Sequence, residues 1–439
     1  MGISFLLFLS GVDASAQNKK WTLNDCIDYA LSRNVTIRKS KVTMNENEVN
    51  LAQSKLNRFP SVSGSASSSF SWQKEQMLEE NNFGTRQRSN TASFGLNASA
   101  TVYNGGKLNN EIKQADIDFR SSKYDTEAEQ ESVQLNILDA YLEILYAKEG
   151  IKNSQAQILS TNHELELAKE RLDVGLISQS DYLEIKSELA SEKSTLADNE
   201  STLATDRVSL MQLMELPLDS TFEIGSPDLS NLLTKTAVPS SSSVYTMALT
   251  FKPSIKSAVL NVKSAEVYEK IEHADLLPTL SLSGSLSTGW SDELSGYSKS
   301  SQLKNQYTPS IGLSLSVPIF SNHSGRNNVK LARLSTSDAR LDLIDTQNDL
   351  RKNIEYACVD LTTAQKKYQA AVEEYQSANE SYTVASEKYK EGVINLADFM
   401  DIKASLIESE SDLIKQKFNL IFSHKRLDFY KGLPLSLSK

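Results

Sequence analysis

From residue 61 the chain reads SVSGSASSSFSW, with serine at every odd position from Ser61 to Ser71 and even positions that turn aromatic at Phe70 and Trp72. Successive side chains of a strand point to opposite faces, so this alternation predicts a strand with one hydroxyl face and one apolar face. Three further segments follow the same rule. Ala92, Phe94, Leu96, Ala98, Ala100 and Val102 alternate with small polar residues. Leu280, Leu282, Leu286 and Trp290 alternate with Ser281, Ser283, Ser285 and Ser287, and Ile311 to Ile319 alternates likewise. The predicted strands are therefore about 60–72, 91–103, 279–291 and 309–320, with Pro60, Pro278 and Pro309 at their entries, where a missing N–H costs least. The polar stretches Gln73 to Asn90 and Asp292 to Thr308 read as long exposed loops. A strand pair packed on a soluble core would explain the apolar faces. Faces built almost wholly of serine, threonine and glycine fit a water-filled lumen better.

Elsewhere the period changes from two to 3.6. Val133, Ile137, Leu138, Tyr141, Leu142 and Leu145 form a stripe within a run from Lys107 to Asp173 that no proline interrupts. Such a segment, about 100 Å long at ~1.5 Å per residue, exceeds any ordinary globular helix and needs neighbouring helices to cover its stripe.

The chain is written twice. ALSRNVTIRKS from Ala30 matches ALTFKPSIKSA from Ala248, and the same shift of 218 lays Pro60 on Pro278 and Trp72 on Trp290. With a shift of 217, RLDVGLISQSDYLEI from Arg171 aligns with KYKEGVINLADFMDI from Lys388, pairing Gly175 with Gly392 and Asp181 with Asp398. One duplication, not a solenoid array, accounts for this. The predicted organisation is a leader at 1–16, a first repeat at 17–225 with a tip hairpin near 173–181, a linker at 226–243, and a second repeat at 244–439 with a tip hairpin near 390–398. Each repeat runs helix, strand, strand, long helix, turn, helix.

Composition narrows the class. Gly 17 and Pro 9 in 439 residues are too few for a large loop-rich β-protein. The net charge of −10, with no basic cluster interleaved with aromatics, sets nucleic acid aside. The start MGISFLLFLSGVDASAQ has an apolar run and an Ala14-Ser15-Ala16 site, which predicts an exported chain cleaved before Gln17. No other long apolar run occurs and the mean hydropathy is −0.37, which excludes a helical membrane protein and leaves a β-barrel open. Cys26 and Cys358 are expected to be buried free thiols. His163, His273, His323 and His424 have no metal-ligand spacing, and G-x-S-x-G and phosphate-loop patterns are missing. No enzyme, cofactor or metal site is predicted.

Four strands cannot close a barrel, and an open edge in lipid leaves backbone groups unpaired, so other chains must add strands. Two, three or four copies, giving roughly 8, 12 or 16 strands, would each close. The two-copy layout, the proline entries, and above all VGLISQSDYLEI with EGVINLADFMDI resemble the TolC family of outer-membrane efflux proteins. That resemblance implies a mainly α fold with transmembrane β: a homotrimer forming a 12-stranded β-barrel that continues into a long periplasmic α-helical barrel. It implies an outer-membrane location in a Gram-negative cell, contact with outer-membrane lipid, a periplasmic adaptor protein, and an inner-membrane pump of RND or ABC type. The function implied is a passive exit duct for efflux or type I secretion. A trimeric structural or adhesive envelope protein with a coiled-coil body is the alternative, disfavoured because a solid stalk would show continuous heptads and no lumen.

Site residues follow from the same resemblance. Val174, Gly175, Leu176, Gly392 and Val393 are expected to contact the adaptor. Asp398 and Asp401 are expected to ring the periplasmic entrance, with Asp181 nearby. Ser178-x-x-Asp181 and Asn395-x-x-Asp398 also have helix-capping spacing, which is reason enough for two of these acids. Tyr389 matches a tyrosine that helps hold the family's tip closed, but Ile394 stands where the partner arginine is expected, which implies a looser tip. Asn34-Val35 replaces the family's Asn-Pro, and a less sharp helix break is expected there than at Lys252-Pro253.

Overall fold

The computed structural model describes residues 20–74, 86–217, 222–233, 237–294 and 296–437, so the predicted leader lies outside the described residues. The first copy contains α1 (Leu23–Arg33), α2 (Val35–Leu56), β1 (Ser61–Lys74), β2 (Arg86–Asn104), α3 (Lys107–Asp173) and α4 (Gln179–Leu213). The second contains α5 (Ser241–Phe251), α6 (Pro253–Ala274), β3 (Thr279–Ser291), α7 (Lys299–Asn305), β4 (Thr308–Ser316), α8 (Ser324–Lys390) and α9 (Leu396–Tyr430). The duplication extends to element length: α3 and α8 are each 67 residues, and α4 and α9 each 35.

Three expectations need correction. The first loop is shorter than read, because β1 and β2 continue pairing through Phe70↔Asn90 to Lys74↔Arg86. Ladder hydrogen bonds belong to the backbone, so a polar run can extend a strand that already has a partner. The second loop holds α7, whose N-cap Ser298 accepts from the Ser301 N–H and whose Gln302 is buried against the end of β3. β4 stops at Ser316, short of residue 320, where Pro318 removes a donor from the ladder.

The helix break in the first copy is also not weaker than in the second. Asn34 has φ −53° and ψ 131°, and Lys252 has φ −59° and ψ 125°, so both copies leave the helix by the same backbone step. In the second copy Pro253 enforces the extended residue before it. In the first, the Asn34 side chain does this work. Its Oδ1 accepts from the Thr36 and Ile37 N–H groups at 2.9 and 3.3 Å, and its Nδ2 donates to the Leu213 carbonyl at 2.9 Å.

The chain divides into two compact units. One comprises Met1–Ser40, Thr126–Lys252 and Gln347–Lys439. Its core gathers Cys26, Ala30 and Ile37 with Ile137, Leu138, Tyr141 and Ile144 of α3 and Leu210 and Met214 at the end of α4. The Tyr141 hydroxyl donates to the Gly225 carbonyl at 2.8 Å, and Gly225 N–H donates to the Trp21 carbonyl at 2.8 Å, which ties the start of the first copy to its end. Cys26 and Cys358 are both buried thiols in no disulfide.

The other unit comprises Lys41–Asp125 and Pro253–Thr346 and holds the sheet. Its strands are antiparallel in the order β1-β2-β3-β4, so the two copies join through β2 and β3. The register puts Leu96 beside Leu286, Ala92 beside Trp290, and Leu282 beside Leu313, so one face of the whole sheet is apolar. On the other face hydroxyls meet across strands: Ser61 with Ser99 at 2.9 Å, Ser67 with Ser93 at 2.7 Å and Ser285 with Ser310 at 2.8 Å.

Candidate functional site

The sheet buries neither face. Val62 is 71% exposed, Trp72 69% and Ile311 86%, on a surface that a water-soluble fold would cover. Leu280 and Trp290 bound the apolar band of β3 ten residues apart, about 33 Å at ~3.3 Å per residue. A strand tilt of about 40° reduces that height to roughly 25 Å, the depth of an outer-membrane hydrocarbon band. Among the described residues, β1 and β4 are unpaired on their outer edges.

The second site is at the reversals between the long helices. α3 ends in a Schellman turn: Gly175 N–H donates to the Leu172 carbonyl at 2.9 Å and Leu176 N–H to the Arg171 carbonyl at 2.8 Å. Gly175 sits at φ +78°, where a side chain would be strained. α8 ends the same way, with Gly392 at φ +73° and Val393 N–H bonded to the Lys388 carbonyl at 2.8 Å. In such turns the residue after the glycine usually packs back on the helix. Here Leu176 and Val393 point into solvent, and so does Val174.

α4 then starts with a reciprocal cap, in which Ser178 N–H donates to Asp181 Oδ2 at 3.0 Å and Asp181 N–H to Ser178 Oγ at 3.1 Å. Asp181 is thus occupied as a capping residue. α9 begins with half of this device: Asp398 N–H donates to Asn395 Oδ1 at 2.8 Å. Among the described residues the Asp398 carboxylate takes no hydrogen bond in return, and it is exposed, as is Asp401 one turn further on. These two carboxylates share one helix face and are free to act on solvent.

Below the turns Ala168, Ile185, Ala385, Leu396 and Phe399 make a small core that joins both hairpins. Tyr389 lies flat on Phe399, with centroids 4.8 Å apart and 5° between planes. Arg171 of the first hairpin reaches this pair from the other side. Its Nη2 donates to the Lys390 carbonyl at 3.1 Å, and its guanidinium carbon is 5.5 Å from the Tyr389 centroid. Burial pushes the Tyr389 phenol above its ordinary range, and Arg171 opposes that shift. Arg171 thus places an arginine of the first hairpin against Tyr389 of the second. The sequence reading did not single out Arg171, although it opens the repeated segment and aligns with the cationic Lys388.

No helix among the described residues is long and apolar enough to cross a membrane. None of their His, Cys, Asp and Glu side chains gather in threes to hold a metal ion. The duplicated helices, the two-faced sheet and the paired helical turns define a channel protein of the duplicated helix-and-strand class. The chain belongs to the outer membrane efflux protein family, whose family model matches residues 26–215 and 244–432, one copy each. It is 20% identical over 414 residues to the outer membrane efflux protein BepC of Brucella suis, covering 92% of this chain and 86% of that protein. It is 20% identical over 400 residues to the toxin and drug export protein A of Aggregatibacter actinomycetemcomitans, covering 91% and 83%. Its fold is similar to that of the Campylobacter jejuni CmeC outer membrane channel, with a TM-score of 0.81 at 23% identity, covering 95% of this chain and 87% of that one. The protein is an outer-membrane channel.

Proposed function

We propose that this chain, as a homotrimer, forms the exit duct of a tripartite export system, conducting substrate passively from an inner-membrane pump through a periplasmic adaptor to the exterior. The observation that carries the reading is the four-stranded sheet, with one serine face, one exposed apolar face and two free edges. Three copies close those edges into twelve strands, with lipid outside and water within. Two heptad-spaced stripes favour self-association. Val42, Val49 and Leu56 are exposed every seventh residue on α2, and Leu331, Leu334 and Leu341 are exposed on α8.

In this assembly the exposed Val174, Leu176 and Val393 at the glycine turns meet the adaptor. Asp398 and Asp401 converge on the threefold axis at the entrance, where like charges in a narrow mouth focus a negative potential. Relatives named for drug and toxin export support an export role. The pump supplies the energy and the selectivity, since a wall of small hydroxyls discriminates little.

The test is single-channel recording of the purified protein in a planar bilayer, together with chemical cross-linking in mild detergent. Cross-linking is expected to stop at three chains, and the bilayer to show discrete cation-selective conductance. A ladder ending at two or four chains, or a protein that inserts without conducting, refutes the duct.

A further inference from the structure

About three turns of helix above the tip, four helices of the two hairpins enclose a charged cluster. Lys403 of α9 is 4% exposed and Glu192 of α4 is 5% exposed. The Lys403 ammonium donates to Thr161 Oγ1 at 2.6 Å and to Glu164 Oε2 at 2.8 Å, both on α3, and stands 3.6 Å from Glu192 Oε1. The Thr161 hydroxyl in turn donates a hydrogen bond to Glu192 Oε1 at 2.6 Å. From α8 the Tyr382 hydroxyl donates to Glu164 Oε1 at 3.1 Å. Glu188, one turn before Glu192 on α4, adds a further negative charge to its surroundings. Lys403 is the cation of the cluster, and it comes from the second hairpin. Both carboxylates, the buried Glu192 and the partly buried Glu164, come from the first.

Two carboxylates share one ammonium, so the cluster carries a surplus negative charge when both are ionised. The distribution of donors shows where that surplus is least tolerated. Glu164 receives donors on both oxygens, Tyr382 and Ser160 on Oε1 and Lys403 on Oε2. Glu192 receives its donors on Oε1 alone, and its Oε2 is enclosed with no hydrogen-bond partner. An ionised carboxylate with an enclosed bare oxygen is costly, whereas a carboxylic acid can place its proton there. We propose that Glu192 holds a proton while the two hairpins are packed together, and that losing it to bulk water loosens the α3/α4 hairpin from α8/α9, with Lys403 as the positioning residue through which the charge is felt. Burial pushes the Glu192 carboxyl above its ordinary range, with Thr161 and Lys403 opposing, which agrees with this placement.

The direction follows from linkage. A carboxyl whose pKa is higher in the packed state favours packing where it is protonated, at low pH, and that contribution fades as pH rises through the packed-state value. Between the two pKa values each pH unit changes the ratio of parted to packed hairpins about tenfold per chain. Asp398 and Asp401 are exposed and take no part in this cluster.

The inference rests on the duct reading, so the experiment separates the two. Single-channel open probability is measured from about pH 5.5 to about pH 8.5 for the wild type, Glu192→Gln, Glu188→Gln and Lys403→Met, alongside hydrogen exchange of Leu396–Glu408 on the same trimers. Wild type is expected to open more, and to lose protection on α9 beyond the intrinsic rate change, as pH rises. Glu192→Gln keeps the shape without the charge and is expected to stay closed with a flat profile. Glu188→Gln is expected to keep the wild-type slope, and Lys403→Met to part at every pH. A Glu192→Gln protein with the wild-type pH profile, or a wild type with none, overturns the inference. If no conductance is seen the duct reading fails, and the exchange profile still decides the proton site.

Discussion

Replacing Arg171 with alanine removes the cross-hairpin tie and nothing from the core. Two interactions are lost: the hydrogen bond from Nη2 to the Lys390 carbonyl at 3.1 Å, and the guanidinium placed 5.5 Å from the Tyr389 centroid. A charged donor to a carbonyl contributes up to about 1.5–3 kcal/mol when buried, but Arg171 is half-exposed, which brings it to roughly 0.5–1 kcal/mol. The ring contact adds about 0.5–1 kcal/mol at an exposed site. The tie thus stabilises the packed tip by about 1–2 kcal/mol per chain, or roughly 3–6 kcal/mol if three chains part together, equivalent to ~10²–10⁴-fold in the open-to-closed ratio. The assay is open probability in a planar bilayer against wild type, with trimer yield as the folding control. Arg171→Lys keeps the charge without the planar fork and is expected to fall between the two. An Arg171→Ala channel as closed as wild type would show that the contact is incidental to the gate.

Replacing both Asp398 and Asp401 by Asn is expected to lower cation selectivity and relieve block by trivalent cations, read from reversal potentials and block curves, with assembly unchanged. Leu176→Asp is expected to abolish export in cells while leaving trimer yield at the wild-type level, because its side chain is 74% exposed. Asn34→Ala strips a cap from two N–H groups and a donor from the Leu213 carbonyl, and is expected to cost about 1–2 kcal/mol, seen as a lower thermal midpoint. Asn34→Asp keeps the acceptor and is expected to recover part of that loss.

Periodicity made the large elements legible. The stripe through Val133 to Leu145 and the repeated tip segment were enough to place the 67-residue α3, and serine alternation placed all four strands. What stayed hidden depends on pairing across distance. Residues 73–74 and 86–90 look like loop because their side chains are polar, yet their backbones had each other as partners. Asn34 reads as a weak substitute for Asn-Pro until Leu213, 179 positions away, is seen to accept from it. Lys403, Glu164 and Glu192 belong to residue types normally assigned to a solvated helix face. Only the packing of four helices shows that Lys403 and Glu192 are enclosed, with Glu164 partly covered beside them.

The enclosed lysine also shows what fusing two copies into one chain permits. Lys403 aligns with Lys186 at the repeat shift of 217, yet Lys186 remains exposed while Lys403 is sealed between carboxylates. Were the halves separate identical subunits, every hairpin around the ring would have to carry the same side chains, and a change that loosened one would loosen all. Joined in tandem they inherit different mutations. In the trimer proposed above, leaves of two kinds would alternate around the ring, and selection could tune one kind to move while the other keeps the wall intact.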